Sequence, residues 1–192
     1  MEYTNMRKLI VQQWSTVDNI IAEEDGGLSF VDATAQSSEA YKNVALAFLD
    51  TVDTMILGSK TYAMSKDYWP RATDQGEYGE KVNSLKKIVA SRELKEAPWG
   101  DFPACTITDD AVKTIKELKE QEGKDIWLWG SLTVMKDLFD AGLIDEVDLR
   151  ICPSSRGKGK HLFHDTQQLK LLDITSFDNG MVYARYEVQH NK

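Results

Sequence analysis

Three short segments combine glycine, hydroxyl and cationic side chains where a strand gives way to a turn or helix. They are Leu57-Gly58-Ser59-Lys60-Thr61-Tyr62, Val89-Ala90-Ser91-Arg92 and Trp129-Gly130-Ser131-Leu132-Thr133. In an open α/β sheet, ligands bind beyond the carboxyl ends of strands, where helix starts present unpaired N–H groups. Glycine lets backbone approach a ligand closely, hydroxyls donate to phosphate oxygens, and lysine and arginine supply charge. Taken together, the segments read as a dinucleotide site. The two glycine turns face the pyrophosphate, and Ser91 with Arg92 faces a 2′-phosphate.

Other chemistries lack their residues. There is no G-x-G-x-x-G fingerprint and no Gly-x-Ser-x-Gly nucleophile turn. Gly157-Lys158-Gly159-Lys160 lacks both the upstream glycine of a P-loop and the Ser or Thr after its lysine. His161 and His164 have no Glu or Cys at ligand spacing, so no metal site is expected.

The elements around the three segments follow from periodicity. Residues 8–14 suggest a first strand, then a loop through Thr16, Asp18 and Asn19, and a Gly/Asp/Ser-rich stretch over 23–38. Tyr41, Val44, Ala45, Phe48 and Leu49 mark one helix face, with Ser37 or Ser38 as its cap. Met55-Ile56-Leu57 is a buried strand and 59–66 is helical. Residues 70–84, with Pro70, Gly76 and Gly79, read as a surface loop. Strands follow at 87–90 and about 103–107, then a helix from Asp109 or Asp110 to Gly123. The chain continues as strand 126–129, helix 132–139 closed by Gly142, and a strand on Val147, Leu149 and Ile151. Strands 169–176 and 181–188 flank the turn Asp178-Asn179-Gly180. This order predicts one α/β domain over residues 1–192: a central, mostly parallel sheet flanked by helices, with an antiparallel C-terminal hairpin.

Composition bounds the class. The chain is 42% hydrophobic and 28% charged, with no apolar run near the roughly 20 residues of a membrane span. No signal-peptide pattern opens it. Cys105 and Cys152 read as reduced core thiols, consistent with a cytoplasmic protein. A net charge of −8 argues against a nucleic-acid partner and leaves a small-molecule substrate.

The segments also resemble a known family. Leu57-Gly58-Ser59-Lys60-Thr61-Tyr62, Val89-Ala90-Ser91-Arg92 and Trp129-Gly130-Ser131 are similar to successive motifs of dihydrofolate reductases. Ala141-Gly142-Leu143-Ile144-Asp145-Glu146-Val147, followed by Pro153, Gly157, Gly159 and Phe163, resembles the reductase branch that includes the C-terminal domain of riboflavin-biosynthesis deaminase-reductases. The resemblance runs from about residue 7 to 188. It implies a dihydrofolate-reductase-like fold and an NADPH-dependent oxidoreductase transferring hydride to a pteridine- or pyrimidine-like heterocycle. Gly58, Ser59, Lys60, Thr61, Ser91, Arg92, Trp129, Gly130, Ser131, Leu132 and Thr133 would hold NADPH. Asp32 or Asp18 would serve the proton, with Glu39 also open. A homodimer is implied as well. Ser59 stands where the family carries arginine, and Gln12 where the riboflavin reductases carry lysine. That pair motivates an alternative, a catalytically silent NADP(H)-binding homodimer.

Overall fold

A computed structural model describes residues 6–32 and 38–190, with the Asp32 side chain outside that set. The strands are β1 (Leu9–Thr16), β2 (Ile20–Ala22), β3 (Val52–Gly58), β4 (Lys86–Ala90), β5 (Thr106–Thr108), β6 (Asp125–Gly130), β7 (Glu146–Cys152), β8 (Lys160–His161), β9 (Leu169–Ser176) and β10 (Val182–Val188). The helices are α1 (Ser29–Asp32), α2 (Glu39–Thr51), α3 (Ser59–Ser65), α4 (Gly76–Ser84), α5 (Ala111–Lys119) and α6 (Leu132–Asp140). The fold is α/β, a large, mostly parallel sheet flanked by helices and ending in an antiparallel hairpin. That is the class the sequence predicts. The chain divides into two compact units: residues up to Ile10 with Ala45–Ile144, and Val11–Val44 with the chain from Asp145 onward.

The first unit is built on parallel strands in the order β5-β4-β3-β6. Met55, Ile56 and Leu57 are fully buried, as a continuous apolar run covered on both faces should be. Phe48, Leu57, Tyr62, Val82, Val89, Trp99 and Trp127 form its core. Asp110 caps α5 by accepting from the Lys113 amide at 2.9 Å. The stretch 70–84 departs from the expected surface loop. Its end is α4, which buries Val82 and Asn83 and sets Tyr78 against the core. Asn83 explains why this polar, glycine-marked segment is held. Its side chain accepts from Trp99 Nε1 at 2.7 Å and donates to the Trp69 carbonyl at 2.9 Å.

In the second unit β10 lies between β7 and β9, antiparallel to both. The short pair β2–β8 has no counterpart in the expected element order, because two- and three-residue strands leave no periodicity to read. The alternation along β7 predicts a strand but not which face is covered. Glu146, Asp148 and Arg150 are buried, whereas Leu149 and Ile151 are only half-buried. Pairing makes that inversion tolerable. Glu146 accepts from Arg185 at 3.0 Å, Tyr183 donates to Asp148 at 2.5 Å, and Arg150 donates to Gln12. Both cysteines are buried, and no disulfide joins them among the described residues.

Candidate functional site

The register of the parallel strands decides where the three predicted segments lie. Gly58 pairs with Ala90 across β3 and β4, and Leu57 pairs with Gly130 across β3 and β6. The carboxyl ends of three adjacent strands are therefore level, and 58–61, 91–92 and 130–133 leave them side by side. Sequence separation hides this; parallel pairing creates it.

The two glycine turns interlock. A Cβ on Gly58 would lie 2.3 Å from Ser131 Oγ and 3.0 Å from the Ser131 backbone nitrogen. A Cβ on Gly130, whose φ is 139°, would lie 2.7 Å from Thr61 Oγ1. Each glycine thus admits the hydroxyl residue of the opposite turn. Gly58→Ala is expected to cost about 3 kcal/mol of stability, at the upper end for overpacking, because Ser131 Cβ at 2.8 Å and its backbone nitrogen at 3.0 Å cannot rotate away as the hydroxyl can. It should weaken ligand binding at the same time. Urea unfolding and a dinucleotide titration check both, and unchanged values would place the turns outside the site.

Around these turns the exposed groups are polar. Ser59, Lys60, Arg92 and Thr133 are exposed, and Ser131 and Leu132 are half-buried. Ser131 is the N-cap of α6 without a side-chain capping bond. Lys60 and Arg92 have no acidic partner among the described residues, so their charge is available to a ligand. Ser91 is already partly committed. Its hydroxyl oxygen accepts from the amides of Glu93 at 3.2 Å and Leu94 at 3.1 Å, leaving its proton to donate. Trp129 turns the other way: its ring stacks on Trp127 at 4.8 Å and packs on Trp69 at 5.2 Å. Trp129 therefore contributes to the aromatic wall behind Gly130. Hydroxyls, two cations and close-packed backbone turns are the donor set that a phosphate-bearing dinucleotide requires.

The expected acids belong to the second unit. Asp18 is tied into a loop: it accepts from Thr16 Oγ1 at 2.5 Å, the Gly157 amide at 2.7 Å and the Arg156 amide at 3.1 Å. The Thr16 and Gly157 hydrogen bonds lead in pulling its carboxyl down to about 2. Such a group is ionised at neutral pH and fastens the 156–157 turn. Because its pKa is lowered, these bonds contribute fully above the ordinary 3.8 and are lost as pH falls through about 2. Asp18→Asn keeps one acceptor oxygen, so limited proteolysis should cut near 154–160 faster than in the unsubstituted protein. An unchanged cleavage rate would show that the turn holds without the carboxylate. Asp32 is the last residue of α1, and its side chain lies outside the described set. Glu39 pairs at the surface with Lys42 at 3.5 Å.

No pattern in the sequence marks the fully buried carboxylate of this unit. Asp148 is fully buried; Tyr183 donates to its Oδ2, Arg185 Nε stands 3.7 Å from its Oδ1, and Gln12 Nε2 lies 3.4 Å from Tyr183 Oη. Burial pushes the Asp148 carboxyl up to about 6 and, with Asp148 beside it, the Tyr183 phenol far above its usual range. The Arg150 guanidinium lies 5.1 Å from the Trp14 ring and 5.5 Å from the Tyr41 ring.

With this geometry in place, similarity to known proteins decides the family. The RibD C-terminal domain model matches residues 7–183. The chain belongs to the RibD C-terminal domain family. Its relatives include YyaP of Bacillus subtilis (strain 168), 35% identical over 145 residues, which are 72% of this chain and 76% of YyaP. YwjB of the same organism is 28% identical over 167 residues, covering 86% and 88%. A putative riboflavin biosynthesis protein from Shewanella sp. PV-4 superposes with a TM-score of 0.72 at 19% identity, covering 95% of this chain and 99% of that one. A diaminohydroxyphosphoribosylaminopyrimidine deaminase/5-amino-6-(5-phosphoribosylamino)uracil reductase from Thermotoga maritima gives 0.65 at 15% identity. There, 96% of this chain matches 57% of a longer one. At such identities the superpositions establish the fold. Membership in the RibD C-terminal domain family establishes a reductase-type domain.

Proposed function

We propose that this RibD C-terminal-type domain is an NADPH-dependent reductase acting on a small pteridine- or pyrimidine-like heterocycle. The observation that carries the reading is the level alignment of 58–61, 91–92 and 130–133 at the carboxyl ends of β3, β4 and β6. Ser59, Thr61, Ser131 and Thr133 would donate to the pyrophosphate and ribose, Lys60 would add charge, and Ser91 with Arg92 would hold the 2′-phosphate. The nicotinamide would supply the hydride; the protein's part is to bind, orient and exclude water. Of the two acids expected from sequence, we assign the proton to Asp32, because Asp18 is held ionised in its loop. We place the protein in the cytoplasm; no helix among the described residues is long and apolar enough to cross a membrane.

Thermal unfolding with NADPH, with NADH and without ligand tests the cofactor. NADPH should raise Tm more than NADH at equal concentration. No shift from either would end the cofactor reading. A second reading, a catalytically silent NADP(H)-binding homodimer, is favoured by the engagement of Asp18 and Gln12 in structural bonds. It predicts the same Tm shift without NADPH oxidation across a panel of pteridines and aminopyrimidines. In both readings we propose a homodimer through the exposed apolar side chains of β9. Leu171 and Ile174 are exposed there and pair with Tyr186 and Ala184, and Leu172 is exposed on the same strand. Ile174→Asp should shift sedimentation toward the monomer; an unchanged coefficient would move the interface elsewhere.

A further inference from the structure

Outside that site, the first unit holds a second cluster of reactive groups. The parallel register pairs Ile88 with Thr106 and Val89 with Ile107. One step earlier, the same register sets Lys87 beside Cys105 on the face shared with Val89 and Ile107. Side chains so related on neighbouring strands lie about 5 Å apart at their bases. Cys105 lines an open depression of about 450 Å³, together with Lys95, Glu96, Pro98 and Ile107. Its backbone amide donates to the Ala97 carbonyl across that depression at 2.8 Å.

Lys87 is held in an unusual way for a lysine. It is buried, has no carboxylate partner among the described residues, and donates to the carbonyls of Asn83 and Leu85, both at 2.8 Å. A neutral amine has two N–H groups, which these two carbonyls satisfy, and one lone pair left over. The charged form adds a third donor, which has the Trp99 ring 5.0 Å away. Burial lowers the Lys87 ammonium to about 8, so the neutral amine is populated in mildly alkaline solution. Burial raises the Cys105 thiol, and Lys87 pulls it partly back. The register thus sets an amine-bearing and a thiol-bearing residue on one face, and Cys105 lines a depression large enough for a small oxidant.

We propose that Cys105 and Lys87 form an oxidation-sensitive couple: a hydroperoxide oxidises the Cys105 thiol to a sulfenic acid, and the Lys87 amine captures it as a sulfur–nitrogen bond. In the first step the sulfur attacks the peroxide oxygen, the O–O bond breaks, and the thiol proton passes to the leaving oxygen, which departs as alcohol or water. Sulfur is oxidised by two electrons and the peroxide is reduced by two. In the second, the amine lone pair attacks that sulfur, the S–OH bond breaks and water leaves. The chain has then lost two hydrogen atoms in all. A thiol reductant returns both side chains. The bond guards Cys105 against irreversible oxidation to the sulfinic acid.

The test uses the full folded chain and hydrogen peroxide at mildly alkaline pH. Mass spectrometry should show loss of two hydrogens, with trypsin failing to cut after Lys87 and the peptides bearing Lys87 and Cys105 joined until dithiothreitol is added. A 1,3-dione that traps sulfenic acid should label Cys105 several-fold more in Lys87→Met than in the unsubstituted protein. Lys87→Arg, which keeps the charge, serves the same purpose where Met does not fold. A thiol that stays reduced, a Cys105–Cys152 disulfide, direct passage to sulfinic acid, or equal dione labelling would each overturn the proposal. None of these readouts depends on the cofactor or on turnover.

Discussion

Arg92→Ala is expected to raise the dissociation constant for NADPH roughly tenfold while leaving that for NADH nearly unchanged. Arg92 is exposed at the end of β4, and its guanidinium has no acidic partner among the described residues. Its removal therefore leaves no buried charge stranded, and the fold should tolerate it. A hydrogen bond to a charged group contributes about 1.5–3 kcal/mol, and exposure to solvent favours the lower figure. A factor of ten corresponds to about 1.4 kcal/mol. The discrimination arises because only NADPH carries the 2′-phosphate; a general loss of positive charge would weaken both cofactors. Titration of the two dinucleotides against the variant, followed by tryptophan fluorescence, separates these outcomes. Equal weakening would move the 2′-phosphate away from Ser91 and Arg92. Lys60 is then the cation to test, since it too is exposed and lacks an acidic partner among the described residues.

The candidate cofactor residues were legible in the sequence because each sits where a buried apolar strand ends in glycine or serine. That junction is local and has a chemical reason. What sequence could not supply is their alignment, which depends on β3 lying between β4 and β6. Adjacency groups Trp129 with Gly130, yet alternation along the strand sends its ring onto Trp127 and Trp69. Asp18 was legible as a loop carboxylate; its partners at 156–157 are remote in sequence and invisible to pattern reading. Most opaque were Glu146, Asp148, Arg150 and Tyr183. Charged residues alternating with Val147, Leu149 and Ile151 read as a solvent face by the usual periodicity. Here they are the covered face, made tolerable by partners drawn from β1 and β10.

That covered face gives the second large expectation, a loss of stability with rising pH that Asp148→Asn abolishes. The Asp148 carboxyl is raised from its ordinary 3.8 to about 6, chiefly by burial, against the pull of the Tyr183 hydrogen bond and the charge of Arg185. The folded state therefore binds this proton more tightly than the unfolded chain does. The corresponding stabilisation is complete below the ordinary value and disappears as pH rises through about 6. Between pH 4.5 and 7.5 the unfolding free energy should fall by about 2 kcal/mol on this account, at 1.36 kcal/mol per pKa unit. Among the facing groups Glu146 adds to this rise, whereas Tyr183, Arg185 and Arg150 oppose it without overcoming burial. Oδ1 of Asp148 is buried without a hydrogen-bond partner among the described residues, Glu146 on the same strand opposes a second negative charge, and Arg185 is 3.7 Å away and partly exposed. Arg150 acts at longer range, its guanidinium bonded to Gln12. Asparagine keeps an acceptor for Tyr183 but carries no titrating proton, so its contribution is flat over that window. Urea unfolding of both proteins at pH 4.5, 6 and 7.5 reads the difference directly, because changes elsewhere in the chain cancel between them. A difference that does not change with pH would mean that Asp148 stays ionised throughout, with the two arginines outweighing its burial.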